Sequence, residues 1–238
     1  MRRFITAIMT IAALAVSGLE VAPAASAAVD PTVTSASATP KKILIQINGS
    51  ATTTMSATFH DPDATINYAT YTVFIPGGGT YGPYNSSGTT VGDSRMFEVA
   101  YRASNSNPPG KYRVKFEAVP KGGVTYTTTP IARTSFIVQH RTKIYVSNAP
   151  YAPHPGYKMK FYGTFYPKNA GVKGKTLTLW FQPKGKKKFT KVDTTKVSKL
   201  YNYNFGKRTV KKSGKYRVKF AGTQYLRATK IVQPFTVY

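Results

Sequence analysis

The stretch Gly110-Lys111-Tyr112-Arg113-Val114-Lys115-Phe116 recurs residue for residue, 104 positions later, as Gly214-Lys215-Tyr216-Arg217-Val218-Lys219-Phe220. Each copy alternates apolar and polar residues, which is typical of a strand with one buried face because successive side chains point to opposite sides. A weaker echo lies downstream of each copy, where Phe136-Ile137-Val138 corresponds to Phe235-Thr236-Val237. The chain therefore contains two homologous units of about 100 residues, the size of an immunoglobulin-like sandwich.

The same alternation predicts strands along the rest of the chain, in segments rich in Thr, Val, Ile, Tyr and Phe. Turn sequences such as Pro76-Gly77-Gly78-Gly79 separate them. The fold class predicted is all-β, with two tandem immunoglobulin-like β-sandwich domains at 28–140 and 141–238. The tyrosine of each repeat has the spacing of a tyrosine corner, but ordinary packing in the core explains it equally well. The predicted strands are 41–48, 53–59, 68–75, 95–101, 110–119 and 133–139 in the first unit, and 142–147, 157–165, 175–182, 188–192, 200–205, 214–220 and 230–238 in the second.

The amino terminus has the features of a secretory signal peptide. Two arginines precede an apolar run at 4–19, and Ala25-Ser26-Ala27 has the form that signal peptidase recognises. We therefore expect residues 1–27 to be removed and the protein to be secreted, either extracellular or associated with the cell wall. No second apolar run is long enough to span a membrane, so no transmembrane segment is expected in the mature chain. The chain has no cysteine, so its stability must come from buried apolar area.

Several short motifs make the chain resemble actinobacterial secreted proteins that pair an immunoglobulin-like domain with a basic carboxy-terminal one. The motifs are Phe59-His60-Asp61-Pro62-Asp63, Pro155-Gly156-Tyr157-Lys158-Met159, Gly163-Thr164-Phe165, Gly174-Lys175-Thr176-Leu177-Thr178-Leu179, and the second repeat with Ala221-Gly222. The resemblance implies the tandem sandwich fold. Some members of that family are described as calcium-binding, and the resemblance implies no catalytic residue.

The residues offer little for catalysis. Eight acidic residues and three histidines are scattered along the chain, and no Gly-x-Ser-x-Gly elbow occurs. We therefore expect no enzymatic activity and no cofactor. Calcium is the one metal considered, because carboxylate oxygens are its preferred ligands. The candidates are Asp61, Asp63 and Asp93, but Asp-Pro-Asp is also ordinary turn chemistry, so no tight site is expected.

Charge separates the two units. Residues 141–238 contain 23 Lys and Arg against one acidic residue, Asp193, a formal charge of +22, whereas residues 28–140 carry +3. A basic surface can simply keep a protein soluble. A charge of +22 on one small domain also repels itself, and a bound polyanion relieves that repulsion. The expected partner is an anionic cell-envelope glycopolymer or another extracellular polyanion.

Strand register predicts where such a partner would bind. Leu179, Phe181 and Val218 are assigned to the core, so the residues between them face solvent. In an immunoglobulin-like sandwich the third and sixth strands are neighbours, which would place one aromatic and several basic residues on one face. Trp180 could equally cover apolar sheet surface. The predicted ligand-binding face consists of Trp180, Lys215, Arg217 and Lys219, with the turn containing Lys184, Lys186, Lys187 and Lys188 at its edge.

A different class of function remains open. The segment from Phe74 to Asn85 is rich in tyrosine, glycine and asparagine, as recognition loops often are. The alternative is a protein–protein interaction module, for instance a regulator or substrate of a secreted enzyme, and weak calcium binding is a further alternative.

Overall fold

The computed structural model describes residues 28–149 and 153–238, so the predicted signal peptide lies outside the described residues. Every long element in the described part is a strand, and a short 3-10 turn at Ala170–Val172 is the one helical element there. No helix in this part is long or apolar enough to cross a membrane. The chain is thus all-β, as the alternation predicts.

The first unit is a sandwich of nine strands in two sheets. One sheet has the order β1-β3-β7-β6 and the other the order β2-β9-β8-β4-β5, with β2 parallel to β9. These orders match the ABED and GFCC′ sheets of the immunoglobulin fold. The strands are β1 (Thr32–Thr39), β2 (Lys42–Ile45), β3 (Ser50–His60), β4 (Ile66–Ile75), β5 (Gly79–Ser86), β6 (Thr89–Val91), β7 (Ser94–Ser104), β8 (Gly110–Pro120) and β9 (Ile131–His140).

The second unit is a smaller sandwich, with a three-stranded sheet β10-β11-β14 over a four-stranded sheet β13-β12-β15-β16. This is the same topology with a shorter first sheet, so the chain forms two tandem immunoglobulin-like domains. The strands are β10 (Lys143–Ala149), β11 (Lys158–Tyr166), β12 (Thr176–Pro183), β13 (Thr190–Lys196), β14 (Asn202–Thr209), β15 (Gly214–Phe220) and β16 (Thr229–Phe235).

Each sandwich has its own hydrophobic core, and the repeat supplies three residues to each. Tyr112, Val114 and Phe116 are buried in the first core. Tyr216, Val218 and Phe220 are buried in the second, beside Leu177 and Leu179. The glycine that begins each copy is required by close packing: a Cβ on Gly214 would lie 2.2 Å from the Gln182 carbonyl oxygen, and one on Gly110 would lie 2.6 Å from the Pro76 ring. The repeat is therefore a structural unit in both domains.

The two repeated tyrosines differ in hydrogen bonding. The Tyr112 hydroxyl donates to the Pro108 carbonyl oxygen at 2.8 Å, which is the bond of a tyrosine corner. Tyr216 makes no such bond within residues 153–238 and stacks instead on Phe181, with ring centroids 4.8 Å apart. Burial raises the pKa of both phenols, that of Tyr216 to about 12. The tyrosine-corner interpretation therefore holds for Tyr112 in the first domain, and the core-packing interpretation holds for Tyr216 in the second.

The segment from Phe74 to Asn85 is not a loop, contrary to the sequence analysis. It contains the end of β4, a tight turn at Gly77 and Gly78, and most of β5, which pairs with β4 at the edge of the sheet. Strands β1, β5 and β6 were missed because edge strands bury few side chains and so lack a clear apolar alternation. Gly82 and Pro83 within β5 obscure the pattern further.

Main-chain hydrogen bonds join the two sandwiches at His140, the last residue of β9. Its amide donates to the Tyr225 carbonyl at 2.9 Å, and its carbonyl accepts from the Arg227 amide at 2.9 Å. The Thr142 hydroxyl donates to the Arg227 carbonyl. The His140 ring is fully buried, and its two nitrogens have no hydrogen-bond partner in the described structure. Burial lowers the pKa of this histidine, and the nearby Asn107 backbone opposes only part of that shift.

Candidate polyanion-binding face

The outer face of the β13-β12-β15-β16 sheet contains the residues predicted from register. Strands β12 and β15 are antiparallel neighbours, so Trp180 lies directly opposite Arg217, Thr178 opposite Lys219, and Gln182 opposite Lys215. Lys215 and Lys219 are exposed, while Trp180 is half-buried. The expected pairing of these two strands is therefore observed.

Arg217 is not the freely solvated cation that alternation alone implies. Its guanidinium carbon lies 5.1 Å from the centre of the Trp180 ring and 4.2 Å from that of Phe189. The side chain is half-buried, and its Nε is buried without a hydrogen-bond partner in the described structure. Stacking between two aromatic rings holds a guanidinium in place by cation–π attraction. Arg217 and the two rings thus form a fixed aromatic–cation cluster in the middle of the face.

Trp180 is oriented by a bond within its own strand. Its indole Nε1 donates to the Thr178 hydroxyl at 2.8 Å, and that hydroxyl in turn donates to the Lys219 carbonyl at 3.2 Å. On the far side of Trp180, Lys191 of β13 is its cross-strand partner. The indole is therefore flanked by positive charge from both neighbouring strands.

At one end of the face, Lys219 stands opposite Lys230 of β16, and both are exposed. Like charges directly opposite on a sheet repel and destabilise the pairing. The sole acidic residue of residues 141–238 cannot relieve them, because Asp193 is the partner of the inward Leu179 and forms an ion pair with Arg208 of the other sheet. The outer face of this sheet therefore has cations without any carboxylate.

The lysine turn lies at the other end. The Lys184 main-chain amide donates to the Ser213 carbonyl at 2.9 Å, and the Lys186 carbonyl accepts from the side-chain Nε2 of Gln182 at 2.7 Å. Lys184, Lys186 and Lys215 line one cleft of about 330 Å³. Lys187 and Lys188 are exposed on the same turn but do not line this cleft.

Sequence reasoning missed three members of the face: Phe189, Lys191 and Lys230. Lys191 and Lys230 enter through the lateral register of β13 and β16, which the repeat does not fix, and Phe189 lies in the loop just before β13. The alternation along β16 could have identified Lys230, since it is the partner of Lys219 once β15 and β16 are taken as a hairpin.

Two of the three calcium candidates have carboxylates that accept hydrogen bonds within the first domain. Asp61 is buried, and its carboxylate accepts hydrogen bonds from the Thr65 amide and hydroxyl at 2.8 and 2.9 Å and from the Ile66 amide at 3.0 Å. Asp63 accepts from the Val29 amide at 2.8 Å. No three acidic or histidine side chains cluster as metal ligands in the described residues, so Asp61 serves its own loop.

No protein-family model and no curated protein matches the chain. Among solved structures, it is similar to the ectodomain (Ig1–Ig3) of mouse nectin-like molecule 4, with a TM-score of 0.37 and 10% identity, covering 86% of this chain and 63% of that one. It is also similar to the Escherichia coli adhesin FdeC, with a TM-score of 0.38 and 11% identity, over 88% of this chain and 63% of that one. A third similarity is to trypsin-activated alpha-2-macroglobulin from Escherichia coli, with a TM-score of 0.29 and 11% identity, over 82% of this chain and 15% of that one. The chain thus spans less than two thirds of each of these molecules, and its assignment as immunoglobulin-like rests on the strand orders above.

Proposed function

We propose that the protein is a secreted, non-enzymatic binding or adhesion protein whose second domain attaches to an anionic cell-envelope glycopolymer. The observation that carries this proposal is the outer face of the β13-β12-β15-β16 sheet, where cations surround one indole and no carboxylate is present. Opposed lysines gain stability when an anion lies between them, and an aromatic ring offers a surface on which a sugar or polyol unit can pack. The formal charge of +22 on residues 141–238 would also speed the capture of a polyanion.

The test is retention of the protein on purified cell wall. Wall samples are used before and after extraction of the anionic polymer, at low and at high salt. We expect strong retention only on unextracted wall at low salt, because contacts between exposed charges are screened by salt. Equal retention in all four conditions would overturn the proposal.

Paired variants locate the attachment. Lys215→Gln with Lys219→Gln removes two charges from the outer face, whereas Lys158→Gln with Lys160→Gln removes two exposed charges from β11 of the opposite sheet. We expect the first pair to weaken retention and the second to leave most of it. Equal loss in both would show that net charge alone, rather than this face, holds the polymer.

A second candidate function is supported by the edge strand β5, where Tyr81 and Tyr84 are each 45% exposed. An edge strand has unpaired main-chain groups that can pair with a strand of another protein, such as a secreted enzyme that this chain regulates or that acts on it. Tyr84→Ser should weaken capture of that partner, because it removes an exposed ring beside the edge while the main-chain groups remain, and it should leave wall retention unchanged. Deleting the segment is a poor test, because it would remove a strand of the sheet.

A further inference from the structure

The first domain has a groove on the outer face of its β2-β9-β8-β4-β5 sheet, which corresponds to the candidate face of the second domain. The net charge of only +3 on the first domain gives no indication of it. The groove, about 630 Å³ in volume, lies over β4, β8 and β9. Phe74 is 41% exposed there, and the exposed Arg113 and Arg133 stand beside it. Six of the residues that line it are Phe74, Lys111, Arg113, Lys115, Arg133 and Ser135.

The two faces repeat the same arrangement across strands. In the first domain Phe74 lies opposite Arg113, and Thr72 lies opposite Lys115. In the second domain Trp180 lies opposite Arg217, and Thr178 lies opposite Lys219. An aromatic residue facing arginine, next to a threonine facing lysine, is therefore present twice at equivalent positions.

The like-charged pair is repeated as well. Lys115 stands opposite Arg133, as Lys219 stands opposite Lys230. Packing requires the inward residues of the repeat but not the outward ones, since any soluble side chain satisfies a solvent-facing position. Two opposed cations on an open face cost stability in the second domain, where no carboxylate is near, and a ligand that neutralises them explains why the cost is tolerated. In the first domain Glu117 offsets the charge of Lys115, so Arg113 and Arg133 are the cations left to a ligand.

Charge within the first domain is distributed unevenly. Four of its nine Lys and Arg lie on this face, where Glu117 is the one acidic neighbour and pairs with Lys115 at 2.5 Å. Asp30, Asp61, Asp63 and Asp93 lie in loops or turns, and Glu98 lies on β7 of the opposite sheet. The charge of +3 is thus a basic face combined with acidic loops.

We propose that this groove is a second binding site, for the phosphate groups of a linear phosphodiester polymer of the envelope. Guanidinium groups bind phosphate in bidentate fashion, and Arg113 and Arg133 supply two of them. Alternate residues of a strand are about 6.6 Å apart, which suits a chain with one charge per short repeating unit. Phe74 packs on the uncharged part of that unit. The ligand class rests on the proposed function, whereas the position of the site does not.

The test uses the full chain, with short glycerol-phosphate oligomers as the probe and neutral dextran as the control. Calorimetry counts the oligomers bound per chain. Fluorescence reports the second domain alone, because Trp180 is the single tryptophan of the chain. We expect two oligomers per wild-type chain, a change in Trp180 emission, and no binding of dextran.

Arg113→Gln with Arg133→Gln should reduce the count from two to one and leave the Trp180 response intact. Lys215→Gln with Lys219→Gln should weaken the Trp180 response and spare the first site. Arg102→Gln with Lys121→Gln removes the same charge elsewhere in the first domain and should change neither readout. Each lost phosphate contact should lower the slope of log affinity against log salt by about 0.7, by analogy with single-stranded nucleic acid.

A count of two that survives Arg113→Gln with Arg133→Gln, or a wild-type count of one that only the second-domain pair reduces, would overturn the second site. Binding that is lost with the Arg113 and Arg133 pair while Trp180 never responds would support this site and refute the proposed function of the second domain. No binding by the wild-type chain would refute both. The unfolding midpoint of each variant is measured as a control for folding. We expect it to be close to that of the wild type, because the exchanged side chains are not in either core.

Discussion

Replacing Arg217 should cost the second domain stability, whereas replacing Lys219 two residues along the same strand should not. Arg217 stacks on two rings, and each such contact is worth about 0.5 to 1 kcal/mol at a partly exposed site. Its buried, unpaired Nε offsets part of this, so Arg217→Ser should lower the free energy of unfolding by about 1 kcal/mol. Lys219→Gln removes a repulsion with Lys230 and should raise that free energy by about 0.3 kcal/mol.

The assay is urea unfolding followed by Trp180 fluorescence, which reports the second domain without contribution from the first. Arg217→Met is the matched control, because it keeps an apolar stem between the rings and removes the unpaired nitrogen. Its unfolding midpoint should lie between those of the wild type and of Arg217→Ser, because the stem still packs on the rings while the cation–π attraction is lost. If Lys219→Gln destabilises the domain more than Arg217→Ser does, then Lys219 is the packed residue and the roles assigned to these two side chains are wrong.

Three further expectations concern the cores, calcium and pH. Tyr112→Phe should lower the free energy of unfolding by about 1 kcal/mol, because it removes the bond to Pro108, whereas Tyr216→Phe should change it little; equal losses in denaturant unfolding would contradict this. Thermal melts with millimolar calcium and with chelator should have the same midpoint, since the Asp61 carboxylate is already bonded within its loop, and a rise of several degrees on adding calcium would reveal a site. Burial lowers the pKa of His140, so the unfolded chain binds this proton more readily and stability should fall as the pH drops below the ordinary value of 6.5; His140→Phe should flatten that fall, and an unchanged pH profile would exclude this histidine as its cause.

The sequence predicts the strands whose alternate side chains are buried in a core. It does not predict edge strands, loops or contacts between domains, where few side chains are buried. The repeat and the alternation around Leu179 and Val218 place β12 and β15 correctly, because inward side chains must be apolar and must alternate. Phe189 and Lys230 were not identified, because Phe189 lies in the loop before β13 and the position of Lys230 depends on how β16 pairs with β15. The hydrogen bonds between the two domains at His140 could not be predicted either. They join residues about 85 positions apart through main-chain groups, which depend little on side-chain identity.

The groove of the first domain, by contrast, could have been predicted from the repeat, which places the same basic residues on both domains. It was not predicted because the net charge of the whole first domain is small. Exposed charges more than about 8 Å apart are largely screened at physiological salt, so a bound phosphate responds to the few cations beside it rather than to the whole domain. Arg113 and Arg133 therefore present a positive local field to a ligand although the first domain carries only +3, whereas the charge of Lys115 is largely balanced by Glu117. Net charge acts at longer range and at lower salt, where it governs the rate of encounter. In the proposed function, the net charge of the second domain therefore speeds the capture of a polyanion from solution, and the two faces hold it once it is in contact.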